Sequence, residues 1–200
     1  MQFTIIIRLW CKIMSRINIG AKPYIMPMPV LIVSSYDDDD NPCAMLAVWG
    51  GISNQKEISI TIASQRHTLK GILARNSFVV SMADVENEVA CDYLGITPGS
   101  KVKDKFEKSG FHTTKSKFVD APIIDELPFA VECRVKSYDE ANWRLVGEIV
   151  NVSLDEKILD DGKVSFEKFH PIAFDWMNKI YLSIGDKVGD AYRDGRQLKK

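Results

Sequence analysis

The sequence predicts a mainly β protein, built as a closed or half-closed antiparallel barrel with a few short helices. Segments that are β-branched, or that alternate apolar and polar residues, recur along the chain and are separated by turn signals. Helical spacing occurs only in short segments that rarely alternate with strands, which excludes a doubly wound α/β domain. The 200 residues, 46% of them hydrophobic, suffice for the core of one domain without disulfides or metals.

The first strands are predicted to form a hairpin. PVLIVSSY (29–36) is continuous and β-branched, and AMLAVWG (44–50) is a second apolar run. DDDDNP (37–42) joins them as an exposed turn, because four like charges repel one another and favour solvent. This run lacks the alternating ligands and the glycine of a calcium loop, so we interpret it as a solvated turn. EISITIA (57–63) alternates as a third strand.

A change of period predicts the first helix over SQRHTLKGILARN (64–76). Its apolar residues recur at helical spacing and share one face: Leu69, Ile72 and Leu73. Ser64 or Thr68 is predicted to cap its start. The remaining predicted elements are a strand (77–83), two short helices (85–95 and 101–110), two long strands (128–140 and 143–156), a turn (160–163) and a tail with one or two strands and a last helical turn (169–192). Gly110 is expected to end the third helix.

The first sixteen residues, MQFTIIIRLWCKIMSR, differ from the rest of the chain. The run is too short to span a bilayer, and its charges, Arg8 and Lys12, do not precede it as in a secretory signal. We expect an upstream start codon, with Met14 as the natural beginning and residues 17–200 as the single domain. The alternatives are an extra edge strand and a disordered tail.

Composition argues against several classes of partner and site. The net charge of −1 and the pI near 6.3 predict no nucleic-acid partner and no anionic membrane surface. The cysteines and histidines are scattered, without a CxxC or HExxH motif: Cys11, Cys43, Cys91, Cys133, His67, His112 and His170. Their distribution favours core thiols and surface imidazoles in a reducing cytoplasm.

Motifs of protein-based catalysis do not occur in the sequence. It has no G-x-S-x-G, no S-x-x-K, no GxGxxG and no P-loop. The carboxylates Asp84, Glu86, Glu88 and Asp92 are interpreted as the solvated face of a helix. If the protein is an enzyme, a bound cofactor is therefore expected to carry the chemistry.

One segment predicts an anion site. Between the strand 57–63 and the helix that follows, Ser64 and Thr68 offer hydroxyl donors and Arg66 offers a charged fork. A helix N-terminus adds unpaired N–H groups and a dipole that favours an anion. This combination suits a monophosphate, and the alternative is that these residues are caps and solvated surface.

The order of segments over nearly the whole chain, from about Ile17, resembles the flavin reductase-like, FMN-binding split-barrel family, in which the flavoredoxins are the nearest members. The segments that carry the resemblance are PMPVLIVSSYDDDDNPCAMLAVWGGIS, ISITIASQRHTLKGIL, FVVSMA, DYLGI, DKFEKSGF, DAPIIDELPFAVECRV, VGEIVNV and YLSIGDKVGDAY. The resemblance implies a six-stranded antiparallel split barrel, a homodimer, and FMN bound non-covalently near the dimer interface.

The resemblance also implies a role for the strand matching residues 43–49, which would run along the isoalloxazine ring. The residues expected to line the ring are Met45, Leu46, Ala47 and Val48, with Trp49 packed beside it. Gly50 and Gly51 would let the backbone approach closely. Without the resemblance, Trp49 would be a core aromatic before a glycine turn. Cys43 stands where relatives commonly carry asparagine, and a thiol is the poorer hydrogen-bond partner for a ring edge.

The implied phosphate ligands are Ser64, Arg66 and Thr68. His67 lies where the family often has an aromatic residue or histidine. Lys105, in DKFEKSGF, matches a lysine that approaches the phosphate, although a charged helix residue is ordinarily solvated. Asn142 or Trp143 stands near a position often held by histidine in relatives, which leaves the ligand there open.

The function implied is that of a flavin reductase or flavoredoxin-like electron carrier, an oxidoreductase acting through FMN. The electron donor would be NAD(P)H or another carrier, and no side chain is assigned as acid or base. The alternatives are a module that stores or delivers FMN, and a structural all-β subunit with a decayed site. Retention of Ser64, Arg66 and Thr68 counts against the last of these.

Overall fold

The computed structural model describes residues 16–199, so the predictions for residues 1–15 lie outside the described part of the chain. The strands are β1 (Met28–Pro29), β2 (Leu31–Tyr36), β3 (Pro42–Ala47), β4 (Gly50–Asn54), β5 (Glu57–Thr61), β6 (Ser77–Met82), β7 (Thr113–Lys115), β8 (Pro122–Ile124), β9 (Phe129–Asp139), β10 (Arg144–Leu154), β11 (Leu159–Asp160), β12 (Lys163–Val164), β13 (Ile172–Asp175) and β14 (Ile180–Ser183). The helices are α1 (His67–Arg75), α2 (Glu88–Ile96), α3 (Lys105–Lys108) and α4 (Phe166–Phe169).

The main sheet is antiparallel and has the order β3-β2-β6-β9-β10-β5-β4. β3 and β4 lie at opposite edges of this order, yet only Val48 and Trp49 separate them in the chain. The three Cα steps from Ala47 to Gly50 span at most about 11 Å, so the sheet must curl until its edges approach each other. The Trp49 carbonyl accepts a hydrogen bond of 2.7 Å from the Thr61 N–H, which continues the β4–β5 ladder beyond Gly50. The predicted mainly β, split-barrel fold is confirmed, with seven strands because Gly50–Asn54 also pairs with β5.

Two apolar clusters fill the inside of the barrel and the space outside β2 and β3. The inner cluster comprises Leu31, Val33, Met45, Ala47, Ile58, Ile60, Ile62, Leu69, Ile72, Phe78, Val80, Val131, Cys133 and Leu145. The outer cluster comprises Val30, Ile32, Ala44, Ala83, Cys91, Leu94, Phe111, Ile124, Leu127 and Ile172. Residues alternate between the clusters along β2 and β3, as the period of two of a strand requires.

Helix α1 packs on β2 and differs in two ways from its prediction. It begins at His67, and its N-cap residue is Arg66, whose side chain makes no capping hydrogen bond, so the predicted cap by Ser64 or Thr68 is wrong. Leu69 and Ile72 are buried as expected, whereas Leu73 is 43% exposed. A shorter helix that lies flat on one sheet buries a narrower stripe than the sequence pattern suggests.

Other element boundaries differ from their predictions where the local backbone conformation does not follow the sequence pattern. Trp143 was predicted in a strand but has φ +56°, and it belongs to the turn before β10. The third helix is reduced to Lys105–Lys108, and Gly110 follows it with φ +77°. The predicted turn at 160–163 is confirmed between β11 and β12. β7 and β8 have three residues each, which is too short for a periodic signal. No helix within residues 16–199 has the length and apolar character needed to cross a membrane.

Candidate functional site

A polar cavity of about 190 Å³, here named the anion cavity, lies where β3, the start of α1, the loop after α2 and helix α3 meet. Its lining residues are Met45, Gln65, Arg66, His67, Thr68, Thr97, Pro98, Gly99, Ser100 and Lys105. Four parts of the chain thus close around one small space. Its size and the hydroxyl, amide and cationic groups in its wall suit a compact anion.

The first turn of α1 faces this cavity. The leading N–H groups of a helix have no partner within the helix, and the helix dipole adds partial positive charge there. Within residues 16–199 the backbone hydrogen bonds include none donated by the N–H of His67 or Thr68. Thr68 is buried, while Arg66, one residue before the helix, is exposed. The helix therefore presents donors, and its preceding residue a cation, to the same space.

Both cations of the cavity, Arg66 and Lys105, lack a carboxylate within 4 Å among the described residues. Arg75, at the other end of α1, shows the contrast: its guanidinium pairs with Asp40 at 2.6 Å and Asp120 at 3.3 Å. The helix thus has a neutralised cation at its C-terminal end and cations without a counter-ion at its N-terminal end. This polarity favours an anionic ligand at the cavity.

Lys105 is the buried cation of the site, with an exposed fraction of 7%. Its ammonium donates hydrogen bonds to the carbonyls of Ala44, at 2.9 Å, and Leu94, at 2.7 Å. Burial lowers the pKa of Lys105 to about 8; the charge of Arg66 acts in the same direction, and Cys43 acts against it. An ammonium has three donors, so one remains for a ligand in the cavity.

Cys43 lies on β3 beside this lysine, in the wall of a smaller space of about 30 Å³ that Lys105, His67 and Thr68 also line. Its thiol donates to the Ser35 carbonyl at 3.2 Å. Burial is the main cause that raises the pKa of Cys43 to about 11. The sulfur is therefore a neutral thiol at physiological pH, and it is not an activated nucleophile.

The outer edge of β3 offers backbone groups to a ligand. Among residues 16–199, β3 pairs with β2 on one side only, so it is an edge strand of the described sheet. The Ala44 carbonyl is bound by Lys105, which shows that the backbone of Ala44 points away from β2. Backbone groups alternate in direction along an antiparallel strand, so the N–H and C=O of Leu46 point beyond the edge as well.

A larger apolar groove of about 550 Å³ lies beyond the end of β3. Its lining residues are Lys22, Pro23, Tyr24, Ile25, Pro27, Met28, Pro29, Val48, Trp49 and Gly50. Trp49 is 42% exposed and packs edge-to-face on Trp176, with 5.7 Å between ring centroids. Met45 in the anion cavity and Val48 in the groove are three residues apart, about 10 Å along the strand. A ligand with an anionic end and a flat aromatic end could therefore follow β3 from one cavity to the other.

Gly50, directly after Trp49, has a packing reason to be glycine. A Cβ built there would lie 3.0 Å from Ile60, 3.1 Å from the Ser59 carbonyl and 3.2 Å from Leu31, all within the sheet. At Gly51 a Cβ would meet nothing within 4 Å. The absence of a side chain at Gly50 thus suits its close contacts with β5 and β2, whereas Gly51 faces open space.

The structure brings together most of the residues that the sequence singled out. Those that line the anion cavity are Met45, Arg66, His67, Thr68 and Lys105. Val48 and Trp49 line the apolar groove. Ser64 is exposed and does not belong to the lining of the anion cavity. Asn142 donates its side-chain hydrogen bond to Asp139 and lines neither space.

Leu46 and Ala47 do not line the anion cavity. The Leu46 side chain packs towards α2, since a Cβ added at Gly95 would lie 3.1 Å from it, and Ala47 is in the inner cluster. Alternation along a strand prevents residues 45–48 from presenting their side chains to one side. Contact of Leu46 with a ring therefore remains a prediction that concerns its backbone, and contact of Ala47 with a ring also remains a prediction.

The sequence analysis missed part of the lining of the anion cavity. Gln65 and the loop Thr97, Pro98, Gly99 and Ser100 belong to the lining, and none was predicted as a site residue. The signal available was the turn sequence TPGS directly after a helical pattern. The proline-rich segment before β1, which lines the groove, was also missed because it carries no regular period.

Comparisons with known proteins agree with the observed split-barrel fold. A family model described as "Flavin reductase like domain" matches residues 24–172. The structure of flavoredoxin from Desulfovibrio vulgaris (Miyazaki F) is 29% identical, with a TM-score of 0.86 over 90% of this chain and 100% of that chain. Flavoredoxin from Methanosarcina acetivorans is 26% identical, with a TM-score of 0.83 over 92% and 99%. An Aquifex aeolicus protein is 30% identical over 138 residues, which are 68% of this chain and 65% of that protein.

Proposed function

We propose that this chain, which belongs to the flavin reductase like domain family, binds FMN and passes electrons through it, as a flavoredoxin-like carrier or a flavin reductase. The observation that carries the proposal is the anion cavity. Two cations that have no counter-ion within the described part of the chain converge there with the first turn of α1, at one end of the edge strand β3. The likeness to two flavoredoxins supports the same assignment.

The phosphate of FMN fits the anion cavity by charge and by hydrogen bonding. The N–H groups of His67 and Thr68 and the third donor of Lys105 can reach one anion in the space they share. Arg66 adds a planar fork that matches phosphate oxygens. A dianion there would also supply the counter-ion that the buried ammonium of Lys105 lacks.

The isoalloxazine ring fits the outer edge of β3 and the apolar groove. The outward backbone of Leu46 can exchange hydrogen bonds with a polar ring edge, and Val48 and Trp49 offer apolar surface beyond it. Trp49 is itself held by Trp176, so it can form a rigid wall of the groove. These groups would position the ring and keep water from one of its faces.

The flavin, when bound, supplies the redox chemistry, accepting a hydride or single electrons and passing them on. The residues of this chain contribute binding, orientation and a fixed field of dipoles and cations. No side chain of the two spaces is needed as an acid or base. The proposed electron donor is NAD(P)H or another carrier, and the proposed assembly is a homodimer, to be measured by sedimentation of the flavin-loaded protein.

We expect the purified protein to be yellow, or to become so with FMN, and to bind FMN at least tenfold more tightly than riboflavin. A charge-assisted hydrogen bond contributes about 1.5–3 kcal/mol, and riboflavin lacks the phosphate that would receive it. Titration followed by flavin fluorescence measures both constants. Equal affinity for the two ligands would show that the anion cavity does not bind the phosphate.

Anaerobic mixing of the FMN-loaded protein with NADH and with NADPH separates a reductase from a carrier. Rapid loss of the oxidised flavin absorbance with either nucleotide is expected for a flavin reductase. Slow loss with both, but fast reduction by a reduced protein carrier, indicates the flavoredoxin-like role. A protein that binds FMN yet is reduced by none of these would be a flavin store.

A further inference from the structure

We propose that Lys105 makes phosphate binding in the anion cavity proton-linked, so that a phosphorylated ligand binds the ammonium form and is released as the pH rises. The inference rests on the proposed function, because it takes the phosphate of FMN as the anion. It adds a regulatory property to the site: cofactor affinity would depend on pH through one buried amine.

The geometry around the ammonium carries this inference. Lys105 is 7% exposed, and the two acceptors that it binds, the Ala44 and Leu94 carbonyls, are neutral. Across residues 16–199 it forms no ion pair within 4 Å. A buried charge without a counter-ion is costly, and the amine relieves that cost by losing its proton.

Other charged groups near the cavity do not supply the missing counter-ion. The titratable and charged residues that line the two spaces around Lys105 are Asp37, Cys43, Arg66, His67 and Lys103. The Asp37 carboxylate accepts from the N–H groups of Asp39 and Asn41, both at 2.9 Å, and caps its own turn. On α2, which contributes the Leu94 carbonyl, the Asp92 carboxylate is bound by the Tyr181 hydroxyl. The arriving phosphate would therefore be the first anion to contact the ammonium.

The sign of the effect follows from the pKa of Lys105 without ligand, which burial lowers to about 8. A phosphate dianion beside the amine favours the charged form and raises that pKa. Below pH 8 the ammonium is already present, so this group adds no pH dependence. Above pH 8 the ligand must bring a proton, and the affinity falls as the pH rises.

The first experiment uses the unaltered protein with FMN and riboflavin between pH 7 and pH 9.5. We expect the FMN dissociation constant to rise about thirtyfold over this range and the riboflavin constant to change little. Riboflavin carries the same ring, so ionisation of the ring or loosening of the barrel at high pH would change both dissociation constants alike. The range lies above the second phosphate pKa, near 6 in phosphomonoesters, so the phosphate stays dianionic.

Calorimetry of FMN binding at pH 9, in buffers of different ionisation enthalpy, counts the protons directly. We expect uptake of nearly one proton per FMN and almost none with riboflavin. Lys105→Arg, whose charge does not titrate in this range, should bind FMN with no such uptake. Lys101→Met removes an exposed lysine from the loop between α2 and α3 and should leave the uptake unchanged.

The outcomes separate this inference from the function on which it rests. Tight FMN binding with no proton uptake and parallel pH profiles for the two ligands would overturn the role of Lys105 and leave FMN binding intact. Failure to bind FMN at any pH would overturn both. Proton uptake that persists in Lys105→Arg would assign the linkage to another group.

Discussion

Replacement of Gly71 with alanine is expected to destabilise the protein by about 2 kcal/mol, although helix propensity alone predicts the opposite sign. Alanine in a helix interior is favoured over glycine by about 1 kcal/mol. At Gly71, however, a Cβ would lie 2.2 Å from the carbonyl oxygen of Tyr36, which is backbone of β2. Neither partner can rotate away, so the helix must shift, and overpacking of this kind costs about 1–3 kcal/mol or more.

The matched control is Gly51→Ala, where the added methyl group meets nothing within 4 Å. Its free energy of unfolding should be unchanged or slightly raised, because alanine restricts the unfolded chain. Urea unfolding of both variants measures the difference. Stabilisation of Gly71→Ala would show that α1 does not press on β2 as described. Since α1 also positions Arg66 and Thr68, the variant should bind FMN more weakly than the wild type.

The main architecture could be predicted from the sequence because the dominant signals are periodic. β2, β5, β6, β9 and β10 were each recognised from alternation or β-branched runs, and the barrel followed from their number and the shortness of the helices. β4 was missed because GGISN has two glycines and no alternation. It pairs with β5 as a local hairpin across Gln55 and Lys56, so only the weak strand pattern of GGISN hid it.

Residues 64–68 of the candidate site have a local sequence signal, whereas Lys105 was predicted only through the family resemblance. The segment 64–68 shows a strand entering a helix through donors, which is a local signal. Lys105 lies forty residues further along in a charged helix, where burial cannot be read from composition. It is buried because α3 places its amine between the edge of β3 and the end of α2. That juxtaposition arises only in the folded chain.

Trp49 is not the core aromatic that the sequence alone suggests, and its contact with a flavin remains a prediction. It packs on Trp176, and its carbonyl accepts from the Thr61 N–H of β5. It also lines the apolar groove with 42% of its surface exposed. A Cβ on the glycine that follows it would crowd Ile60, Leu31 and the Ser59 carbonyl. Close approach of a ligand is therefore not needed to explain Gly50.

Replacement of Arg66 with alanine is expected to raise the FMN dissociation constant at least tenfold and to leave riboflavin binding nearly unchanged. Arg66 lines the anion cavity without a carboxylate partner among residues 16–199, so its fork is available to a phosphate. Arg66→Lys should recover part of the loss, since lysine offers a point charge in place of a planar fork. Lys70→Ala, which removes an exposed cation from the same helix, should bind FMN as the wild type does.

The rival view is that Arg66 is a solvated residue before a helix. A positive charge near a helix N-terminus is mildly unfavourable, so its removal would be neutral or stabilising by up to about 1 kcal/mol. The two views predict different melting temperatures when FMN is bound. Under the phosphate view, saturating FMN raises the melting temperature of the wild type more than that of Arg66→Ala, because ligand stabilisation follows the dissociation constant. Equal FMN-induced shifts in the two proteins would leave the anion to Thr68, Lys105 and the backbone of α1.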